Sequence, residues 1–153
     1  MKTRDELPPR TLNILLADDD KDDCLLFKEA LEELPLSMHL TIVHDGDQLM
    51  KLLTREVVAQ YVTPLPDVLF LDLNMPRKNG FECLCEIKQN ENLKALPVIM
   101  FSTSYPRDKT YEGEMINTLL KIGAQDYIRK PNDFTQFKQV IHQALSIIAE
   151  KIS

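Results

Sequence analysis

The chain has 153 residues, 44% of them apolar and 27% charged, which suits one ordinary globular domain with its own core. Its formal net charge is −6 and no Lys/Arg run or basic stripe occurs, which argues against nucleic acid as a partner. There is no apolar run of about 18 residues, so no membrane span is expected.

Met1 to Arg10 is polar, carries two prolines and lacks the apolar centre of a signal peptide. It reads as a flexible N-terminal segment of a cytoplasmic protein. Leu12 to Ala17 is a continuous apolar run, a buried strand, and Asp18-Asp19-Asp20 follows it directly. A helix is predicted over 22–34, with Phe27, Ala30, Leu31 and Leu34 at helical spacing and Pro35 as its stop. Met38 to Val43 is the second strand. Asp45-Gly46-Asp47 turns into a helix carrying Leu49, Leu52 and Leu53. Pro64 and Pro66 bracket a loop before the third strand, predicted over 67–71.

Gly80 to Gln89 reads as a helix and 98–101 as the fourth strand. A fourth helix is predicted over 112–121, closed by Gly123. The fifth strand is predicted over 127–129. Asp133 then caps the last helix, with Gln136 three residues on and an apolar stripe of Phe137, Val140, Ile141, Ala144, Leu145 and Ile148. Cys83 and Cys85 share one helix in a C-x-C spacing, so they face different ways and form no half of a metal site. With Cys24 they make an odd, unpaired set of ordinary thiols.

Five β-α units in succession, with strands that are apolar throughout, predict an α/β fold: a three-layer αβα sandwich around a doubly wound, five-stranded parallel sheet. Residues 11–153 are expected to form this one domain, with no second domain.

In such a sheet, ligands bind at the carboxyl ends of the strands. Beyond strand one stand Asp18, Asp19 and Asp20, beyond strand three Asp72, beyond strand four Ser102 and beyond strand five Lys130. Two carboxylates about 4 Å apart repel by about 4 kcal/mol at an effective dielectric near 20, which a divalent cation would relieve. Mg²⁺ takes oxygen ligands, so Asp19 and Asp72, with Asp18 acting through water, form a candidate site. A carboxylate is also a nucleophile toward phosphorus, and Lys130, Ser102 and the metal could stabilise the transferred group. Asp20, Asp22 and Asp23 lie at the helix entrance, where capping and solvation account for them.

These residues resemble those of response-regulator receiver domains. The acidic pair, the segment Asp72-Leu73-Asn74-Met75-Pro76 with Gly80 and Phe81, the hydroxyl of Ser102 and Lys130-Pro131 occur in the family's order. The likeness runs from Leu12 to Ile148. It implies a flavodoxin-like receiver fold with strand order 2-1-3-4-5. It implies Asp72 as phosphoacceptor and Mg²⁺ held by Asp18, Asp19, Asp72 and the carbonyl of Asn74. Lys130 would pair with the phosphoryl group, Ser102 and Tyr127 would act as switch residues, and the Lys130–Pro131 bond would be cis. The donor would be a sensor histidine kinase or a phosphotransfer protein, and output would pass by protein contact with a downstream target. That contact would use the face of helix four, strand five and helix five, from a monomer or a phosphorylation-linked dimer. Leu73-Asn74-Met75-Pro76 and the absence of an output domain resemble stand-alone receivers, including those that partner bacteriophytochromes.

Two stretches, Leu53 to Pro66 and Ser102 to Tyr127 with its Tyr105-Pro106-Arg107-Asp108, are longer than in compact receivers. Two other classes share parts of this pattern. Haloacid-dehalogenase-like phosphatases use a similar Asp, Ser/Thr, Lys and Mg²⁺, but need an acid two residues after the nucleophile, where Asn74 stands. A receiver-like binding module that no longer takes phosphate would lack site residues that are all present here. Neither fits as well as a phosphoacceptor that assists only its own phosphorylation and dephosphorylation.

Overall fold

A computed structural model describes residues 11–58, 65–103 and 109–152. Its elements run β1 (Leu12–Ala17), α1 (Lys21–Glu32), β2 (Met38–Val43), α2 (Gly46–Val58), β3 (Val68–Leu71), α3 (Gly80–Gln89), β4 (Val98–Ser102), α4 (Lys109–Ile122), β5 (Asp126–Arg129) and α5 (Phe134–Ile152). The five strands form one sheet in the order β2-β1-β3-β4-β5, and every pairing is parallel.

Alternation along the strands builds two cores. Leu15, Ala17, Leu69, Leu71, Val98 and Met100 face one way, against Leu49 and Leu53 of α2, Leu84 and Ile87 of α3 and Leu119 of α4. Ile14, Leu16, Val68, Phe70, Ile99 and Phe101 face the other way, against Phe27 and Leu31 of α1 and Phe137, Ile141 and Leu145 of α5. β3 and β4 are buried along their whole length, which explains their unbroken apolar sequence. On the α1/α5 side, Phe27, Phe70, Phe101 and Phe137 meet edge to face, with centroids from 4.9 to 6.1 Å apart.

The expected elements are all present, with shifted ends. α1 stops at Glu32 rather than Leu34; Leu34 N donates to Leu31 O just beyond the helix. α4 starts at Lys109, earlier than expected, and ends where predicted, at Gly123 with φ 134°, which only glycine adopts easily. β4 extends to Ser102, so that residue belongs to the strand rather than to the loop after it. Asp133 accepts from Gln136 N at 3.0 Å, as its capping role required. Residues 59–64 of the long stretch before Pro66, and Tyr105 to Asp108, lie outside the described residues. No described helix is long and apolar enough to cross a membrane.

Candidate functional site

The strand register assembles the site. Ala17 of β1 pairs with Leu71 of β3, so the next residues, Asp18 and Asp72, leave the sheet side by side. Asp72 N donates to Ala17 O at 3.0 Å and Asp18 N to Val43 O at 3.0 Å, which carries the ladder one step past the strands. Ser102 pairs with Arg129, and Lys130 N donates to Ser102 O at 2.8 Å. All four side chains therefore meet at the carboxyl edge, beside the switch point between β1 and β3 where the strand order reverses.

Asp72 is buried, and its two oxygens are used differently. Ser102 Oγ donates to Oδ1 at 2.8 Å, and Asn74 N donates to the same atom at 3.2 Å. Lys130 Nζ donates to Oδ2 at 3.3 Å. The same ammonium donates to Asp18 Oδ2 at 2.6 Å and to Asp23 Oδ2 at 2.9 Å, and lies 5.5 Å from the Phe101 ring centre. Lys130 is thus deeply buried yet fully hydrogen-bonded, which is what makes a buried ammonium tolerable.

The acidic triplet divides by role. Asp20 is the N-cap of α1, accepting from Asp22 N and Asp23 N. Asp18 is buried and Asp19 exposed. One carboxylate oxygen from each of Asp18, Asp19 and Asp72 converge, all within 4.8 Å of one another. The donor set is all oxygen and one ligand faces solvent, which fits a hard divalent cation that keeps part of its water shell. Burial, the largest influence, pushes the Asp18 carboxyl up from 3.8 to about 7; Lys130 pulls it down and Asp72 pushes it up again. For Lys130, burial opposes the charge, but Asp18 and Asp72 outweigh it and hold its pKa above the ordinary value.

The loop from Leu73 to Asn79 is pinned by close backbone contact. Gly80 N donates to Leu73 O at 2.9 Å, and a Cβ on Gly80 would stand 2.1 Å from the carbonyl oxygen of Asp72. Lys78 N donates to Pro76 O across Arg77, whose φ of 69° closes a γ-turn. Asn79 and Glu82 form a reciprocal capping box at the start of α3.

Two expectations are not met as stated. The bond before Pro131 is trans, not cis. Prolyl isomers differ by only about 0.5–1 kcal/mol, and Lys130 reaches all three carboxylates from the trans form. Asp23, assigned to capping or solvation, instead faces Lys130. Its signal was in the sequence: Asp23 stands one turn before Phe27, on the buried stripe of α1, whereas Asp22 falls on the exposed side. Tyr127 pairs with Met100, two positions short of Ser102 on the ladder, and its partly buried ring packs in the core under α4.

Cys24 and Cys83 are buried and Cys85 is partly exposed, so the C-x-C pair does face different ways. Burial pushes the thiols of Cys24 and Cys83 up to about 12, which leaves them unreactive.

A doubly wound sheet with acids, a hydroxyl and a lysine at these strand ends defines a phosphoacceptor receiver. Residues 14–142 match the response regulator receiver domain family, and the chain belongs to that family. It is similar to the response regulator Rcp1 of Synechocystis sp., at 40% identity over 102 residues, covering 66% of this chain and 67% of that protein. It also resembles the transcriptional regulatory protein CpxR of Klebsiella pneumoniae, at 35% identity over 77% of this chain but only 42% of that longer protein. Among solved structures, the Mn²⁺-bound form of Rcp1 aligns with a TM-score of 0.78 and 29% identity over 93% of this chain and 97% of that one. The phosphorylated cyanobacterial phytochrome response regulator RcpA aligns with a TM-score of 0.74 and 31% identity over 88% and 91%. The chain is therefore a two-component receiver homologous to phytochrome response regulators, and a phosphatase of the haloacid dehalogenase type is not favoured.

Proposed function

We propose that Asp72 accepts a phosphoryl group from a phosphohistidine, and that the chain acts as a stand-alone, cytoplasmic response regulator. The observation that carries this reading is the pairing of Asp72 with a different donor on each oxygen, Ser102 on Oδ1 and Lys130 on Oδ2. A carboxylate oxygen of Asp72 attacks phosphorus, the P–N bond to the donor imidazole breaks, and the electron pair leaves with the histidine. Lys130 and Ser102 are placed to donate to the equatorial oxygens of the group in transfer. Mg²⁺, held by Asp18, Asp19, Asp72 and the carbonyl of Asn74, would neutralise part of the charge on the transferred phosphoryl oxygens.

Asn74, two residues beyond the acceptor, has an amide where an acid would be needed to activate water in a phosphatase. This supports a protein that acts on its own phosphoryl group and turns over no separate substrate. Similarity to RcpA, a cyanobacterial phytochrome response regulator, supports a phytochrome-type histidine kinase as donor. Residues 11–153 form the receiver in this reading, and output passes by contact with a downstream protein. Phosphorylation shifts an existing balance of two conformations, with Ser102 and Tyr127 as switch residues. Incubation with acetyl phosphate and Mg²⁺ should label the protein once, and Asp72→Asn should abolish the label. Wild-type labelling of that variant would overturn the assignment.

A further inference from the structure

An ammonium has three N–H donors, and the ammonium of Lys130 has three carboxylate partners, Asp18, Asp23 and Asp72. Two of these change state during the reaction proposed above. Asp18 belongs to the converging acids that would hold the metal, and the Asp72 carboxylate becomes an acyl phosphate. Asp23 does neither. It is not among the three acids that converge, and the Asp20 cap fixes it in the first turn of α1, with Cys24 buried behind it.

We infer that Asp23 is a positioning residue that restrains Lys130 and so sets how firmly this lysine can hold the phosphoryl group. This rests on the reading of Asp72 as phosphoacceptor. The ammonium lies nearer to Asp23, at 2.9 Å, than to Asp72, at 3.3 Å. When the metal draws on the charge of Asp18, Asp23 is the carboxylate that still competes for the lysine. An N–H directed at Asp23 is one that does not reach a phosphoryl oxygen. The Asp23 side chain is 20% exposed, so water weakens its pull without cancelling it.

The test is the affinity of the full chain for beryllofluoride, a phosphoryl mimic, at saturating Mg²⁺, measured by fluorine NMR. Asp23→Asn keeps the shape and removes the charge; it should bind about fivefold tighter than wild type. Asp23→Ala should show the same gain, which guards against a folding defect particular to one variant. Asp23→Glu restores the charge and should return the affinity to near wild type. Asp22→Asn removes the same charge from the same helical turn, at an exposed side chain that is not a partner of Lys130, and should also match wild type. Unchanged or weaker binding by Asp23→Asn and Asp23→Ala overturns the proposal, as does an equal gain in Asp22→Asn. A different pattern would overturn the phosphoacceptor reading itself: no uptake by wild type, or equal uptake by Asp72→Asn.

Discussion

Lys130 and Asp18 form the tightest ion pair in the site, with Nζ 2.6 Å from Oδ2 and both side chains at 3% exposure or less. They come from opposite ends of the chain, so the pair ties the β1 loop to the β5 loop. Removing the ammonium would leave Asp18 and Asp72 buried beside each other without a counter-charge. Breaking a buried pair from one side costs about 3–5 kcal/mol. Lys130→Met should therefore lose that much stability in urea denaturation without metal. Saturating Mg²⁺ should restore a large part of it, because the cation replaces the missing positive charge. Equal losses with and without Mg²⁺ would show that the lysine acts through packing and not through charge.

The raised pKa of Asp18 gives a pH dependence with a definite sign. The native carboxyl titrates at about 7 and the unfolded one at 3.8, so the native state binds more protons between these values. Stability from this group is fully present below 3.8 and is lost as pH rises through about 7. In metal-free protein, the stability difference between wild type and Asp18→Asn should shift in favour of Asn across this window. Thermal denaturation at several pH values checks it. Mg²⁺ should flatten the trend, because it binds the ionised form. A difference that does not vary with pH would contradict the raised pKa.

Which of these relationships could be read in the sequence follows from their range. The strands, the helices and the four strand-end residues were legible, because burial on both faces writes unbroken apolar runs and the fold brings strand ends together. Asp20 as a cap was legible because capping is local. Asp23 was misassigned because a first-turn acid has a local explanation, and only its position above Phe27 on the buried stripe argued otherwise. The ion pair of Glu112 with Arg129 joins α4 to β5 across 17 residues, and no periodicity announces it. The need for Gly80 was visible only as a family match. Its physical reason, a backbone carbonyl in the space of a side chain, appears only in three dimensions.

That contact predicts the behaviour of Gly80→Ala. The new methyl would stand 2.1 Å from Asp72 O and 2.9 Å from Leu73 Cα, both backbone atoms that cannot rotate away. The loop has to move, and Asp72 moves with it. Overpacking of this kind typically costs about 1–3 kcal/mol. Labelling of Asp72 by acetyl phosphate should slow as well, since a shift of the acceptor disturbs its bonds from Ser102 and Lys130. Gly46→Ala, which meets Lys78 O at 2.1 Å, should lose stability too, with a smaller effect on labelling because the acceptor is not its neighbour. Equal labelling loss in both variants would mean that general destabilisation, not the position of Asp72, is being measured.

Arg129 and Glu112 supply an asymmetric test at the other side of the site. Arg129 Nη2 donates to both Glu112 oxygens, at 2.7 and 2.6 Å, and Nε adds a bond at 3.2 Å. The glutamate side chain is 5% exposed, whereas the arginine side chain is 54% exposed. Removing the exposed partner leaves a buried carboxylate without its counter-ion, whereas removing the buried charge leaves a guanidinium that water can solvate. Arg129→Ala should therefore lower the melting temperature more than Glu112→Gln, and the double variant should recover part of the loss of Arg129→Ala. The pair also joins the start of α4 to the residue beside Lys130, so loosening it should ease movement of α4 relative to β5. Hydrogen exchange of the α4 amides should accelerate in Arg129→Ala. If the two single variants melt alike and the double variant is additive, the pair is a solvated surface contact that couples nothing.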